Sequence, residues 1–134
     1  MHVGLKMLSA ILSLGAGILT GGAAAGERPI VLKGGESIEL WPLYFVVNCR
    51  SILKGPPVAE VLEGPPELTV TVREQKVIPR KVNCAKEVPG GMLILTAAKD
   101  IKARTQGRLI FRIIYQTKDG ERKMSHEFDV TLLP

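Results

Sequence analysis

The stretch that decides the fold lies near the carboxyl terminus and reads RLIFRIIYQT (108–117), KDGE (118–121) and RKMSHEFDVTLL (122–133). In both longer runs apolar residues recur at every second position, which is the period of a strand with one buried face. Asp-Gly between two such runs is the strongest short-range signal for a β-hairpin. The sequence therefore predicts an antiparallel hairpin with a type I′ turn at Asp119-Gly120, in which both central residues take positive φ.

The alternation also assigns the hairpin side chains to two faces. The outer face of the first strand carries Ile110, Arg112 and Ile114, a mixture that is a candidate interface, with a plain solvated surface as the alternative. Because successive strand residues point to opposite faces, the other alternate positions are expected to enter the core. This inner set is Leu109, Phe111, Ile113 and Tyr115 in the first strand and Met124, His126, Phe128, Val130 and Leu132 in the second.

Upstream of the hairpin, short β-branched and aliphatic runs alternate with glycine and proline, and no long run keeps a helical period. Two Gly-Pro-Pro triplets bracket 58–63, which has an extended bias and whose prolines protect an edge from aggregation. Strands are predicted at 29–33, 36–40, 43–53, 68–73, 76–82 and 92–97.

Proline and glycine set the expected ends of several of these strands. Trp41-Pro42 is expected to interrupt the second strand, since proline has no N–H for a ladder. Pro79 confines 76–82 to an edge, where this segment is expected to pair back on 68–73. Pro89-Gly90-Gly91 is expected to close a polar loop, and the almost continuous apolar run at 43–53 is expected to be a buried strand.

Seven or eight short strands with no crossover helix predict an all-β fold, an antiparallel two-sheet sandwich. In strand number, in its Asp119-Gly120 hairpin and in the cysteine that follows Val46-Val47, the chain resembles the immunoglobulin-like domains of exported bacterial proteins. The resemblance covers residues 26–134 and implies a β-sandwich architecture, not an activity.

Two positions depart from the antibody pattern within that architecture. Trp41 precedes the first cysteine instead of lying between the two, and Tyr115 is followed two residues later by Thr117, not by cysteine. The tryptophan that packs on the bridge and the tyrosine corner of antibody domains therefore have no counterpart here. A bridge in this chain is expected to join different elements from the antibody one.

The amino-terminal segment is predicted to be a cleavable signal peptide, residues 1–25. Residues 7–19 are apolar and uncharged, and this run is too short to span a bilayer, which needs about 20 residues. Ala23-Ala24-Ala25 supplies the small residues that signal peptidase accepts. We expect a periplasmic or extracellular protein with no stable membrane anchor after cleavage; an uncleaved signal anchor is the alternative.

The two cysteines, Cys49 and Cys84, are the only ones in the chain. An even pair in an exported chain predicts a disulfide, because compartments outside the cytoplasm are oxidising. Two free thiols or an intermolecular bridge are the alternatives. The pair would close a loop of about 35 residues, long enough for substantial stabilisation.

Candidate catalytic and metal-binding residues are few. Residues 26–134 contain one histidine, His126, on the predicted apolar face, where a structural role is expected. Ser125 is its neighbour, but adjacent strand residues point to opposite faces and cannot act as a catalytic pair. We therefore expect no enzyme, no metal site and no cofactor.

The aromatic cluster Trp41, Tyr44 and Phe45 is the other candidate for binding, with core packing as the alternative. A formal charge of +5 scattered along the chain fits a solvated surface, and the basic residues lack the interleaved aromatics that nucleic-acid binding uses. The sequence thus favours a noncatalytic interaction module with an envelope protein partner and no nucleic acid. A small-molecule or polysaccharide binder is the alternative, and it requires a concave pocket lined by Trp41 or Tyr44.

Overall fold

The computed structural model describes residues 29–134; the predicted signal peptide lies outside these residues. The described part is all-β, with one short 3₁₀ turn at Arg80–Val82. Two of its nine strands have only two residues each. The strands are β1 (Ile30–Lys33), β2 (Ser37–Leu43), β3 (Val46–Val47), β4 (Arg50–Ser51), β5 (Val58–Glu63), β6 (Leu68–Val77), β7 (Val88–Ala97), β8 (Thr105–Thr117) and β9 (Gly120–Leu133).

These strands form two main sheets that share one core. The four-stranded sheet has the order β1-β9-β8-β5, the three-stranded sheet the order β2-β7-β6, and β3 and β4 pair separately. Buried side chains from both main sheets belong to a single apolar cluster, as a sandwich requires. Its fully buried members include Leu32, Leu43, Leu93, Leu95, Leu109, Phe111, Ile113 and Leu132.

The carboxyl-terminal hairpin is confirmed, but its predicted turn type is wrong. Strands β8 and β9 pair from Thr105↔Leu132 to Thr117↔Gly120. Because Thr117 pairs with Gly120, the two central residues of the turn are Lys118 and Asp119 and not the predicted Asp119-Gly120. Neither central residue has positive φ, so the turn is not type I′, and the positive φ of 114° belongs to Gly120, the first residue of β9. Instead, the buried Thr117 hydroxyl donates to the Gly120 carbonyl (2.7 Å) and accepts from the Asp119 N–H (3.1 Å). Met124, expected in the core, is 52% exposed although its partner Ile113 is fully buried, because β1 pairs only with Val130–Leu133 and leaves the Met124 end of β9 as a sheet edge.

Strand β2 does not end at Trp41-Pro42 as predicted but continues through a bulge to Leu43. Glu39 pairs with Ile94 and Pro42 with Met92. Two residues of β2, Leu40 and Trp41, therefore lie opposite one residue of β7, Leu93. An edge strand tolerates a proline at a bulge, because the missing N–H is not needed for a ladder there.

The predicted continuous strand at 43–53 is also wrong. The chain leaves the main sheet after Leu43 and forms the small β3–β4 hairpin, in which Val47 pairs with Arg50. The two residues between them, Asn48 and Cys49, have φ 54° and 61°. Positive φ at both central positions is what a type I′ turn requires, so this conformation occurs here and not at Asp119-Gly120.

The segment 76–82 was predicted to pair back on the preceding strand; instead β6 continues to Val77 and the 3₁₀ turn follows. β6 pairs with β7 along its whole length, from Leu68↔Ala97 to Val77↔Val88. Gly90 and Gly91, expected in a loop, therefore lie inside β7. A Cβ at Gly90 would collide with the Leu43 carbonyl oxygen, so glycine is needed where the backbone at the end of β2 lies against β7.

One strand pair is parallel, which corrects the expectation of a purely antiparallel fold. β1 pairs with β9 in parallel, from Ile30↔Val130 to Lys33↔Leu133. At the opposite edge of the same sheet, β5 pairs with β8, and its register shifts between Val61 and Glu63.

Candidate binding cleft

A cleft of about 620 Å³ lies where the end of β2, the end of β6 and the 3₁₀ turn meet. Its size falls within the range of roughly 300–1,000 Å³ that is usual for small-molecule sites. The aromatic lining is Trp41 of β2, Tyr44 directly after β2, and Tyr115 of β8. The basic lining is Lys76 of β6 and the first two residues of the 3₁₀ turn. The residues that matter for its chemistry are Trp41, Tyr44, Tyr115, Lys76, Arg80 and Lys81.

Trp41 connects this cleft to the core. Its ring centroid lies 5.0 Å from that of His126 in an edge-on arrangement, 5.9 Å from Phe128 and 6.4 Å from Phe111. The side chain is half-buried, so it packs on the core and also lines the cleft. The two interpretations of the aromatic cluster, core and binding surface, are thus combined in this residue.

The two tyrosines of the chain face the cleft together. Tyr115 is 6% exposed, Tyr44 is half-buried, and Phe45 packs edge-on against Tyr115 at 5.6 Å between ring centroids. Burial, followed by the proximity of Tyr44, raises the pKa of the Tyr115 phenol above its ordinary value. The Tyr115 hydroxyl thus stays protonated to a higher pH than an ordinary phenol, and a protonated phenol is a hydrogen-bond donor.

The opposite part of the lining is cationic. Lys76, Arg80 and Lys81 are exposed, and Glu87 is the acidic residue of the lining. None of the three cations takes part in the ion pairs found at up to 4.0 Å within residues 29–134; those pairs use Arg73, Arg108, Arg112 and Lys123. The cleft consequently presents an excess of positive charge.

The Cys49–Cys84 disulfide, confirmed by the structure with a Cα–Cα distance of 5.5 Å, ties the two parts together. Cys49 follows Tyr44 through β3, and Cys84 comes two residues after the 3₁₀ turn that carries Arg80. Asn48 and Asn83, which precede the two cysteines, have φ 54° and 62°. Asparagine tolerates this left-handed conformation better than most residues, which accounts for the repeated Val-Asn-Cys sequence. A disulfide is consistent with a location outside the cytoplasm.

The other predicted surface, Ile110, Arg112 and Ile114, lies on the outer face of the four-stranded sheet, and its three residues are half-buried. Arg112 Nε donates to Glu60 Oε1 across the strands at 2.7 Å. Two more ion pairs lie on this face: Arg108–Glu127 across β8 and β9 at 3.1 Å, and Lys123–Glu121 along β9 at 3.4 Å. Gln116 Nε2 also donates to Glu121 Oε1.

The five predicted surface residues are therefore not brought together. Trp41 and Tyr44 line the cleft, whereas the other three are on the far side of the sheet against which Trp41 packs. Sequence reasoning missed Tyr115 and the three cations as cleft residues. The disulfide was the signal that could have found the cations, since it brings residues near Cys84 to those near Cys49.

The same residues were also expected to hold no metal or catalytic site. Within residues 29–134 there is no group of three or more His, Cys, Asp or Glu side chains that could hold a metal ion. His126 packs on Trp41 and Phe111, and Ser125 pairs with Arg112 on the outer face. In this part of the chain no helix is long and apolar enough to cross a membrane.

No protein-family model and no curated protein matches this chain.

Proposed function

We propose that this chain is an exported, noncatalytic binding protein of the cell envelope that holds a small molecule or saccharide in the cleft of Trp41, Tyr44 and Tyr115. The observation that carries the proposal is the preformed cleft itself, which gathers the only tryptophan and both tyrosines of the chain. Binding sites of this kind are concave and largely apolar, with a few polar groups that orient the ligand.

We also infer that the sandwich is immunoglobulin-like, and the order of its strands supports this. If the seven longer strands are lettered A to G in chain order, the three-stranded sheet reads B-E-D and three strands of the other read G-F-C. Constant-type immunoglobulin domains have the sheets A-B-E-D and C-F-G, so the difference is that the first strand joins the last. The disulfide differs too, because it links the B–C connection to the D–E connection.

Export is supported by the apolar segment at residues 7–19 and by the disulfide. Amino-terminal sequencing of the protein purified from its native compartment tests this part. A mature chain that begins at Gly26 is expected, and a cytoplasmic, uncleaved chain with two alkylatable thiols would refute export.

The cleft is tested with the fluorescence of Trp41, which reports on this site alone because the chain has no other tryptophan. A panel of small molecules and oligosaccharides is titrated into the oxidised protein. Tyr44→Ala should weaken binding of any hit about tenfold or more, equivalent to about 1.4 kcal/mol. Ile110→Ala, on the outer face, is the control and should bind as the natural protein does. Equal affinity of both variants would contradict the proposal.

A second candidate function, holding a protein partner, is favoured by the edge strand β5. Val58, Val61 and Leu62 are 57%, 41% and 48% exposed on this strand. Apolar side chains on a sheet edge suit addition of a partner strand. Affinity capture after brief cross-linking in intact cells tests it: one dominant partner that is lost in Leu62→Lys and kept in Tyr44→Ala would support this function. Capture that is unchanged in Leu62→Lys would exclude it.

A further inference from the structure

The cations of the cleft are held by a short, internally bonded segment. Lys76 lies next to the end of β6, and Arg80 and Lys81 begin the 3₁₀ turn. Within this turn the Asn83 N–H donates to the Arg80 carbonyl at 3.0 Å and the Cys84 N–H to the Pro79 carbonyl at 3.1 Å. The disulfide then fixes the end of the turn. These backbone bonds and the disulfide hold the Cα positions of Arg80 and Lys81 at the cleft.

The charge of the lining is unbalanced. The cleft is lined by three cationic side chains and one carboxylate, that of Glu87. On the outer face, in contrast, Arg108 and Arg112 form ion pairs with carboxylates of neighbouring strands. A concave surface lined by one sign of charge concentrates ions of the opposite sign. Arginine and lysine also form their shortest and strongest hydrogen bonds with oxyanions, and arginine binds them through two parallel N–H groups.

The rest of the lining is apolar or neutral. Trp41, Leu43, Val77 and Ile78 supply apolar surface, and the protonated hydroxyl of Tyr115 supplies a donor. A fully hydrated inorganic anion would leave this surface unused. A molecule with both an oxyanion and a ring with an apolar face would use both parts of the lining.

We propose that the ligand is a small organic oxyanion whose carboxylate, sulfate or phosphate group lies against Lys76, Arg80 and Lys81 and whose ring packs on the side of Trp41 and Tyr44. This inference rests on the proposed function of the cleft and narrows it to one ligand chemistry. An acidic sugar and an aromatic acid share that chemistry, and the test separates them.

The test uses pairs of probes that differ mainly in charge: indole-3-acetate against indole-3-acetamide, and trigalacturonate against galactotriose. Binding to the oxidised protein is followed by amide chemical shifts. The anionic member of at least one pair should bind about tenfold more tightly than its neutral partner, and added salt should reduce this preference by screening. Preference within the first pair indicates an aromatic acid, and within the second an acidic sugar.

Arg80→Gln should reduce the preference for the anionic member at least about threefold, since Lys76 and Lys81 remain, while the neutral member keeps its affinity. Arg122→Gln removes an exposed cation outside the cleft and should leave the preference intact. If neutral and anionic members bind the cleft equally, the oxyanion inference fails and the proposed function stands. If no probe moves a cleft amide up to millimolar concentration, this inference is overturned; failure of the wider panel to change Trp41 fluorescence would overturn the proposed function as well.

Discussion

The cleft and the outer face of the four-stranded sheet both carry arginine and lysine, but only on the outer face do these cations form ion pairs. On the outer face the cations meet carboxylates across the strands, as in Arg112–Glu60 at 2.7 Å. In the cleft three cations lie beside aromatic rings and a single carboxylate, Glu87. The comparison teaches that residue type alone does not identify a binding surface. What distinguishes the two is whether the fold supplies a partner for each charge.

The two regions also differ in the regularity of their backbone. The outer face consists of regular paired strands, whereas the cleft is built from a bulge at Leu40-Trp41, a 3₁₀ turn and three non-glycine residues with positive φ nearby. Irregular backbone of this kind costs stability and clusters at functional sites. The disulfide is placed where these irregular segments meet.

The largest effect is expected from removing the disulfide. Cys49→Ser with Cys84→Ser should lower the free energy of unfolding by about 2–5 kcal/mol, because the unfolded chain regains the entropy of an open loop. The cleft should also lose affinity, since its two parts are no longer tied together. Urea denaturation and fluorescence titration measure the two effects.

A matched variant sharpens this result. Cys49→Gly with Cys84→Ser also lacks the bond, but glycine accepts the φ of 61° at residue 49 without strain. It should be up to about 1 kcal/mol more stable than the double serine variant. No loss of stability in either variant would show that the bridge does not hold this region.

The next largest effect is expected where the end of β2 lies against β7. Gly90→Ala should lower the free energy of unfolding by about 1–3 kcal/mol, because its Cβ would displace the Leu43 backbone and the cleft wall. Gly55→Ala, where nothing lies within 4 Å of the added Cβ, should change it by less than about 0.5 kcal/mol. Similar values for both would mean that β2 and β7 are not in close contact.

A smaller effect concerns pH. Tyr115 has a folded pKa raised above 10.0, so the unfolded chain releases this proton at lower pH than the folded one. The stability that this residue contributes is fully present below pH 10.0 and is lost as the pH rises through the folded pKa. Tyr115→Phe should therefore lose less stability than the natural protein between neutral and strongly alkaline pH. Parallel pH profiles of the two proteins would contradict the raised pKa.

The smallest effect is expected on the outer face. A double-mutant cycle of Glu60→Ala and Arg112→Ala should give a coupling free energy of only about 0.2–1 kcal/mol, because both side chains are partly exposed and screened by solvent. Ligand affinity should not change. A tenfold loss of ligand affinity in Arg112→Ala would show that the ligand binds to the outer face and not in the cleft.

Alternation along the strands explains what the sequence could predict. The hairpin, the inner set around Leu109 and Phe111, and the outer position of Arg112 all follow from a period of two. The disulfide followed from cysteine number and the expected compartment. These predictions depend on local pattern or on composition.

The cleft could not be predicted in this way, because it depends on contacts between distant segments. Trp41 packs on the core next to a bulge that no local rule places. Gly90 is required because the Leu43 carbonyl of the neighbouring strand lies against it. Pro79 favours an edge strand as much as the 3₁₀ turn that it precedes. The cations of this segment become a site only when the sandwich brings them to Tyr44 and Tyr115.

The most direct test of the central claim is a map of amide and indole chemical shifts of the oxidised protein during titration with indole-3-acetate and with trigalacturonate. We expect one of them to shift the Trp41 indole N–H together with the backbone amides of Tyr44 and of residues 76–78, 80 and 81. Shifts confined to Ile110–Ile114 and Glu60 would contradict it and would assign binding to the outer face.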